Sequence, residues 1–491
     1  MAKNLGSLVT FDIDRLFNGA IDVDWLVDGS GRAEKAARAF VFHGPKTHGL
    51  SQGDIGETSH QLVDTASFVR RVVERIESRK GNAFTVAIAG FGSGKSHLAV
   101  TITELLSTQK EDLRQEIVEH IGQADAGIGR EVSASCRNVG KVLAVTLNGM
   151  NNSDLASALL SQIRAKVVDD GFDASRLENL RERFKHAANL LRNLDEKLMS
   201  GLLSGCGVFN KDEVICQLGA FDETVYKKTH KFLSGLGINL AAVRDETAKD
   251  VIGITVREFV GKGKPYSHLA ILFDEFGHYM EYATSHPQIA GDGALQHLFE
   301  GVQGNDELVT FVGFVQYELK AYAQRLPSEF KNEMNRFITR FDNAEKLYLS
   351  SNLETLVASL LRKSADPDID FAESETLRRK IASWYPVSQN YSTWSDAGIF
   401  NRVVAKGCWP LSPVAMWILF YLSTSGKYLQ QRSALTLLKA ALDAHANDEA
   451  DSVLPPVGVW TTELQQEFES IEENSAHGTL LQSYNAVCVK F

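Results

Sequence analysis

The sequence predicts an α/β protein: a five-stranded parallel sheet, a long helical insertion within it, and a helical C-terminal domain. Three observations carry that expectation. Five short apolar runs, "AFTVAIAG" (83–90), "KVLAVTLNG" (141–149), "HLAILFDEF" (268–276), "ELVTFVGFVQ" (307–316) and "EKLYLS" (345–350), alternate with stretches of helical periodicity. Strands alternating with helices build parallel sheets, and strands covered on both faces read as continuous apolar runs. The stretch 150–265 is far longer than an ordinary crossover, and from 351 onward the pattern is mostly helical, broken only by "SADPDID" and "DEADSVLPPVGVW".

Taken in order, residues 1–63 form an N-terminal segment of short apolar pieces and the loop "HGPKTHGLSQGDIGE". Residues 64–350 form the core. It opens with "DTASFVRRVVERIES", in which Phe68, Val69, Val72, Val73 and Ile76 share one helical face. "KSHLAVTITELLS" and "SDLASALLSQIRAKVV" are the helices after the first and second strands. Inside the insertion, Leu177, Leu180, Phe184, Ala187, Leu191, Leu194 and Leu198 recur at spacings of three and four. That seam is either a helix docked on its own domain or a partner-binding coiled coil. Residues 351–491 form the C-terminal helical domain, and its last stretch, "TLLQSYNAVCVKF", lacks a polar tail, as expected of a fragment or of a short relative of longer proteins.

Composition narrows the class. A chain of 491 residues with 44% hydrophobic content supports two or three cores without disulfides or metals. The cysteines, Cys136, Cys206, Cys216, Cys408 and Cys488, contain no C-x-x-C pair, which argues against a zinc site and an extracellular disulfide framework and for a reducing cytoplasm. The most apolar run, "PVAMWILFYL" (413–422), is about half the length that crosses a bilayer, so it reads as a buried helix and no membrane partner is expected. A formal charge of -11 disfavours an extensive nucleic-acid surface. The cluster Arg70, Arg71, Arg75, Arg79 and Lys80 either touches phosphates locally or is a solvated helix face.

Between the first strand and its helix lies "GFGSGKSH" (90–97), closing on the G-K-S of the phosphate-binding pattern G-x-x-x-x-G-K-[ST]. Strand, glycine-rich turn and helix N-terminus together aim backbone N–H groups at one point, which suits phosphate. Gly90, Phe91, Gly92, Ser93, Gly94, Lys95, Ser96 and His97 are therefore the candidate nucleotide contacts, with Lys95 on the β and γ phosphates and the Ser96 hydroxyl on Mg²⁺. Ala89 stands where the pattern has its first glycine. Gly90 is expected to share that conformational role, and alanine is tolerated if φ stays negative.

Hydrolysis needs more than a cradle. "LAILFDEFGHY" places Asp274 to organise Mg²⁺ and Glu275 to polarise the attacking water, with His278 and Tyr279 on the nearby surface. No companion ligands stand at metal spacing around His278. The base-reading pattern N-K-x-D is missing, "NKDE" (210–213) ending in Glu213, so ATP is expected over GTP. Gln316 closes the fourth run, either as a γ-phosphate sensor or as a surface glutamine. Arg340, then Arg336, are candidates for an arginine supplied to a neighbour's site; either also has Glu333 or Asp342 as an ion-pair partner.

The ordered set "GFGSGKS", "ILFDE", a strand ending in Gln316 and "TRFD" before a final strand resembles P-loop ATPases of the AAA+ kind, of the origin-recognition and STAND-like type. The resemblance covers residues 64–360 and implies a helical lid and a trans-acting arginine in the box around Arg340 and Phe341. "WPLSPVAMWILFYLSTSGKYLQQRSALTLL", with "GFGSGKSH" and "DEFGHYME", is also similar to the ATP-binding proteins of bacterial anti-phage islands of the BREX type. That similarity implies a role in defence against foreign DNA, with Arg432 either a sensor in the lid or part of a structural ion pair. The expected function is a Mg-ATP-hydrolysing ATPase driving assembly or remodelling of a larger complex. The alternative is a slow-hydrolysing, nucleotide-gated scaffold that binds partners through the insertion. Implied partners are further copies of the chain, other defence-complex subunits, and DNA.

Overall fold

The computed structural model describes residues 4–12, 21–47, 62–90, 92–178, 180, 182–238, 246–291, 293–350, 352–364, 372–424 and 431–460. Eight strands are found among them: β1 (Val9–Phe11), β2 (Leu62–Val63), β3 (Phe84–Ile88), β4 (Val142–Asn148), β5 (His268–Asp274), β6 (Val309–Val315), β7 (Glu345–Leu349) and β8 (Leu361–Lys363). β3 to β7 are the five predicted strands. They lie in one parallel sheet of order β2-β7-β3-β6-β5-β4, in which the two-residue β2 is a sixth strand on the β7 edge. β1 and β8 pair antiparallel as a separate ribbon.

Helices cover both faces of the sheet, which is why β3, β4, β5 and β6 are buried along nearly their whole length, whereas β7 is only partly buried. On β3, Phe84, Val86 and Ile88 enter one core, shared with the insertion, and Ala87 enters the other, shared with Phe68, Val69, Val72, Val73 and Ile76 of the helix Thr65–Ser78. That helix starts where Asp64 accepts the Ser67 N–H at 2.7 Å, a cap worth about 1 kcal/mol. The arginine cluster on it is consumed locally: Arg70 pairs with Glu131, Arg71 with Glu345, and Arg75 and Arg79 donate to backbone carbonyls.

The insertion is not one long helix. Among the described residues its helices are Leu155–Asp169, Ser175–Glu178, Glu182–Arg192, Ser200–Cys206, Lys211–Gly219, Glu223–Gly235 and Ala248–Phe259. Leu177, Leu180, Phe184, Ala187 and Leu191 are buried in the domain's own core, whereas Leu198 is 58% exposed. The periodic seam is thus an inward face, and a coiled coil does not form. "NKDE" has a structural explanation too: Asn210 caps Lys211–Gly219 by accepting the Glu213 N–H.

A third core lies in the C-terminal region, around Trp394, Phe400, Trp409, Met416 and Leu438. "PVAMWILFYL" is the helix Pro413–Thr424, with Ala415, Met416, Leu419 and Phe420 buried. Leu5, Leu8 and Val9 belong to this third core, and β1 pairs with β8 in register Val9↔Lys363. The described N-terminal residues are therefore divided between two cores. Residues 4–12 are built into the C-terminal domain, while the helix Arg32–Ala39 packs against the helix Lys95–Ser107 of the sheet domain. No helix among the described residues is long and apolar enough to cross a membrane.

Candidate functional site

The site lies at the carboxyl ends of β3, β5 and β6, where ligands bind in open parallel sheets. After Ile88 the chain keeps to the ladder for one more residue, the Ala89 N–H reaching Val315 O at 3.1 Å. Ala89 is buried within the sheet, so its side chain costs nothing in backbone strain. Of the three glycines of the turn expected to supply unusual backbone angles, Gly92 (φ 73°) and Gly94 (φ 83°) are left-handed and Gly90 is not. Gly94 is the residue at which the helix Lys95–Ser107 begins, and a Cβ there would meet nothing within 4 Å, leaving the mouth of the turn open. Ser93 Oγ donates to Gly90 O at 2.7 Å and ties the turn to itself. Phe91 lies outside the described residues.

Lys95 is buried, and its Nζ donates to Gly90 O at 3.1 Å. Burial pushes its ammonium below the ordinary lysine value, while Glu275 and Asp274 push it back up. Asp274 ends β5 and is also buried, so its carboxyl is raised to about 6, chiefly by desolvation. The Ser96 hydroxyl stands in hydrogen-bonding contact with it, but Oδ1 is buried with no partner among the described residues. A buried carboxylate with a free oxygen beside a serine hydroxyl at a helix N-terminus is a donor set suited to a hard divalent cation. These residues fit Mg²⁺ accompanying phosphate.

Glu275 follows in the left-handed region (φ 49°), a strained setting for a non-glycine residue, and it starts the helix Phe276–Ser285. The strain is held from below by the end of β4. Asn148 lies in register with Asp274, and a Cβ on Gly149 would come within 2.3 Å of Glu275 O, so only glycine lets β4 approach so closely. Across the site, Gln316 Nε2 donates to Glu275 Oε1 and Oε2 at 3.1 and 3.2 Å. Lys95, Ser96, Asp274, Glu275 and Gln316 are therefore gathered at one point.

Other expected residues lie elsewhere. His97 turns from the phosphate turn into the protein: its Nε2 is 2.6 Å from Ala36 O, its ring packs on Phe40, and burial lowers it to about 4. It holds the helix Arg32–Ala39 in place rather than facing a nucleotide. Tyr279 is buried, not at the surface, its hydroxyl donating to Ser153 O at 2.9 Å. Arg336 is exposed; Arg340 is partly buried with its guanidinium 6.0 Å from the Phe299 ring centroid. Neither makes an ion pair among the described residues, and Asp342 faces Lys346 at 4.0 Å. Arg432 lies on the helix Gln431–Ala444, and its side chain is outside the described residues.

Sequence reasoning missed Gly149, Gly277 and Tyr322, which surround the Glu275–Gln316 pair. The only signal for the first two was a glycine just after a strand or its acidic end, in "TLNG" and "DEFG".

No protein-family model matches the chain, and no curated protein matches it. Solved structures to which it is similar include the Aeropyrum pernix ORC1 protein in complex with DNA, at 12% identity, 86% of this chain, 70% of that chain and a TM-score of 0.29. Another is the Aeropyrum pernix ORC2 protein in its ADPNP–ADP complexes, at 11% identity, 88% of this chain, 90% of that chain and a TM-score of 0.26. Superpositions so loose carry no weight for the fold, which is described from its own strand order.

Proposed function

We propose that this chain is an ATPase of the AAA+ type that hydrolyses the terminal phosphoric anhydride of Mg-ATP. One observation carries the reading: Lys95, Ser96, Asp274 and Glu275 converge at the ends of β3 and β5, with Gln316 of the neighbouring strand end on the Glu275 carboxylate. Gly92 and Gly94 shape a turn whose N–H groups and helix dipole receive the phosphates, and Lys95 exchanges Gly90 O for phosphate oxygens. Ser96 and Asp274 hold Mg²⁺, which supplies neutralisation of the phosphate charge. Glu275 takes the proton of the attacking water as the water oxygen bonds to the γ-phosphorus and the bond to the ADP oxygen breaks.

The work done by turnover is proposed to be assembly or remodelling of a larger complex, with further copies of the chain and DNA as partners. The narrower assignment to anti-phage defence rests on "WPLSPVAMWILFYLSTSGKYLQQRSALTLL", "GFGSGKSH" and "DEFGHYME". One observation favours the second reading, a slow-turnover gated scaffold: Gln316 occupies both oxygens of the carboxylate that would activate water.

ATP turnover by the wild type, Lys95→Ala and Glu275→Gln, each with and without double-stranded DNA, separates these readings. The ATPase reading expects wild-type turnover at least a hundredfold above both variants. Turnover equal to that of Glu275→Gln under both conditions would leave the scaffold.

A further inference from the structure

We propose that Tyr322 is the positioning residue of the hydrolytic carboxylate. Its hydroxyl fixes the backbone of Gln316, and its ring seats against the turn that carries Glu275. The inference rests on the reading of Glu275 as the group that activates water.

Tyr322 lies in the helix Leu319–Arg325 and is 3% exposed. The Gln316 backbone N–H donates to its hydroxyl at 2.8 Å, and the Tyr317 N–H lies on the same oxygen. The far edge of the ring occupies the place a side chain at 277 would fill: a Cβ on Gly277 would fall 2.1 Å from Cζ and 2.5 Å from the hydroxyl oxygen. Gly277 stands two residues after Glu275 in the same helical turn, so it is a socket for the phenol. Tyr317 and the Arg325 guanidinium, 5.7 Å from the ring centroid, close the other side.

One side chain thus touches both strand ends that must meet. With the Gln316 backbone pinned, its side-chain amide spans the gap to Glu275 from a fixed origin; without the pin, the origin is the end of a strand followed by a loop. Burial, with Glu275 nearby, pushes the phenol up to about 12, so it stays a neutral hydrogen-bonding group throughout the working pH range. A tyrosine that only filled space would not need its oxygen on the amide of Gln316.

Two variants separate hydroxyl from ring. Tyr322→Phe keeps the ring in the Gly277 socket and removes the acceptor; Gly277→Ala keeps the hydroxyl and displaces the ring. Both are expected to lower kcat tenfold or more while KM and the affinity for a fluorescent ATP analogue stay within twofold. In nucleotide-free protein, Tyr322→Phe should speed hydrogen exchange at the Gln316 amide at least tenfold. Unchanged kcat and unchanged exchange in Tyr322→Phe would overturn the proposal. So would a KM that rises in step with a falling Tm, which marks a purely structural role. Glu275→Gln is measured alongside: wild-type turnover in it would remove the reading of Glu275, while the amide exchange still reports on Tyr322.

Discussion

Gln316 Nε2 bridges both carboxylate oxygens of Glu275, at 3.1 and 3.2 Å, across the gap between the ends of β6 and β5. Residues that act as a unit give non-additive losses when removed together. Gln316→Ala should therefore reduce kcat by about 10²- to 10³-fold, the range of a positioned hydrogen-bond donor at a reacting centre. Gln316→Ala combined with Glu275→Gln should be no slower than Glu275→Gln alone. Single-turnover kinetics checks this. A rise in kcat on Gln316→Ala would show the amide to be a restraint and favour the gated scaffold.

Asp274 gives a pH signature. Its folded carboxyl, at about 6, lies above its ordinary 3.8, so the stability it contributes is complete below 3.8 and is lost as pH rises through 6. Ionised at pH 8, it costs about 3 kcal/mol even with the Ser96 hydroxyl and Lys95 beside it. Asp274→Asn should accordingly raise the Tm of nucleotide-free protein at pH 8 and leave it unchanged at pH 4. With ATP present, the Mg²⁺-dependent rise in Tm should shrink in wild type below pH 6, where protons compete for the carboxylate, and should be absent from Asp274→Asn at every pH. Thermal denaturation with and without Mg²⁺ across that range decides it.

The parts of the fold that were legible are those with local causes. β3 to β7 announce themselves because strands covered on both faces must be apolar, and Ala89 is explained by a ladder that outlasts the strand by one residue. The parts that were not legible depend on partners distant in the chain. "LGSLVTF" carries too few residues to show a period, yet Leu5, Leu8 and Val9 complete a core whose other members begin at Leu353. His97 follows the G-K-S signature directly but lies on the helix face turned to Ala36 and Phe40, a matter of helical phase the motif does not encode. The seam from Leu177 to Leu198 has the right period for a coiled coil; breaks at the turns bury its residues from Leu177 to Leu191 in a domain core and leave Leu198 exposed. At the site, the residues proposed to carry chemistry stand in the motifs "GFGSGKS" and "ILFDE" and at the strand end Gln316. Tyr322 and its glycine socket were hidden because they act through packing between two turns.

Glu354 offers a test of the C-terminal domain. It is fully buried, and its carboxyl is raised to about 7 by desolvation despite a hydrogen bond from Trp394 Nε1 at 2.6 Å. Its second oxygen has no partner among the described residues. Because the folded value exceeds the ordinary 4.5, stability is complete below 4.5 and falls as pH rises through 7, by about 3 kcal/mol at the alkaline limit. Glu354→Gln keeps an acceptor for Trp394 and removes the charge. It should raise Tm at pH 9, change it little at pH 5, and flatten the pH dependence between, as thermal denaturation across that range would show.

The position of Arg340 restricts how it can act. Arg340 lies over Phe299, which stacks on Phe84 with centroids 4.6 Å apart. Phe84 begins β3, whereas the phosphate turn follows its other end, about 13 Å further along the strand. Arg340 thus sits toward the opposite end of the sheet from its own phosphate turn, so any role in catalysis is in a neighbouring copy. Arg340→Ala and Lys95→Ala should each be inactive alone, since a shared arginine is worth about 10³-fold or more in turnover. Mixed one to one in a head-to-tail ring, an intact Lys95 meets an intact neighbouring Arg340 at about a quarter of interfaces, and turnover should recover to about that fraction of wild type. Arg336→Ala mixed in the same way tests the exposed alternative. If neither mixture recovers activity, Arg340 is a stacking partner of Phe299, and turnover is completed within one chain.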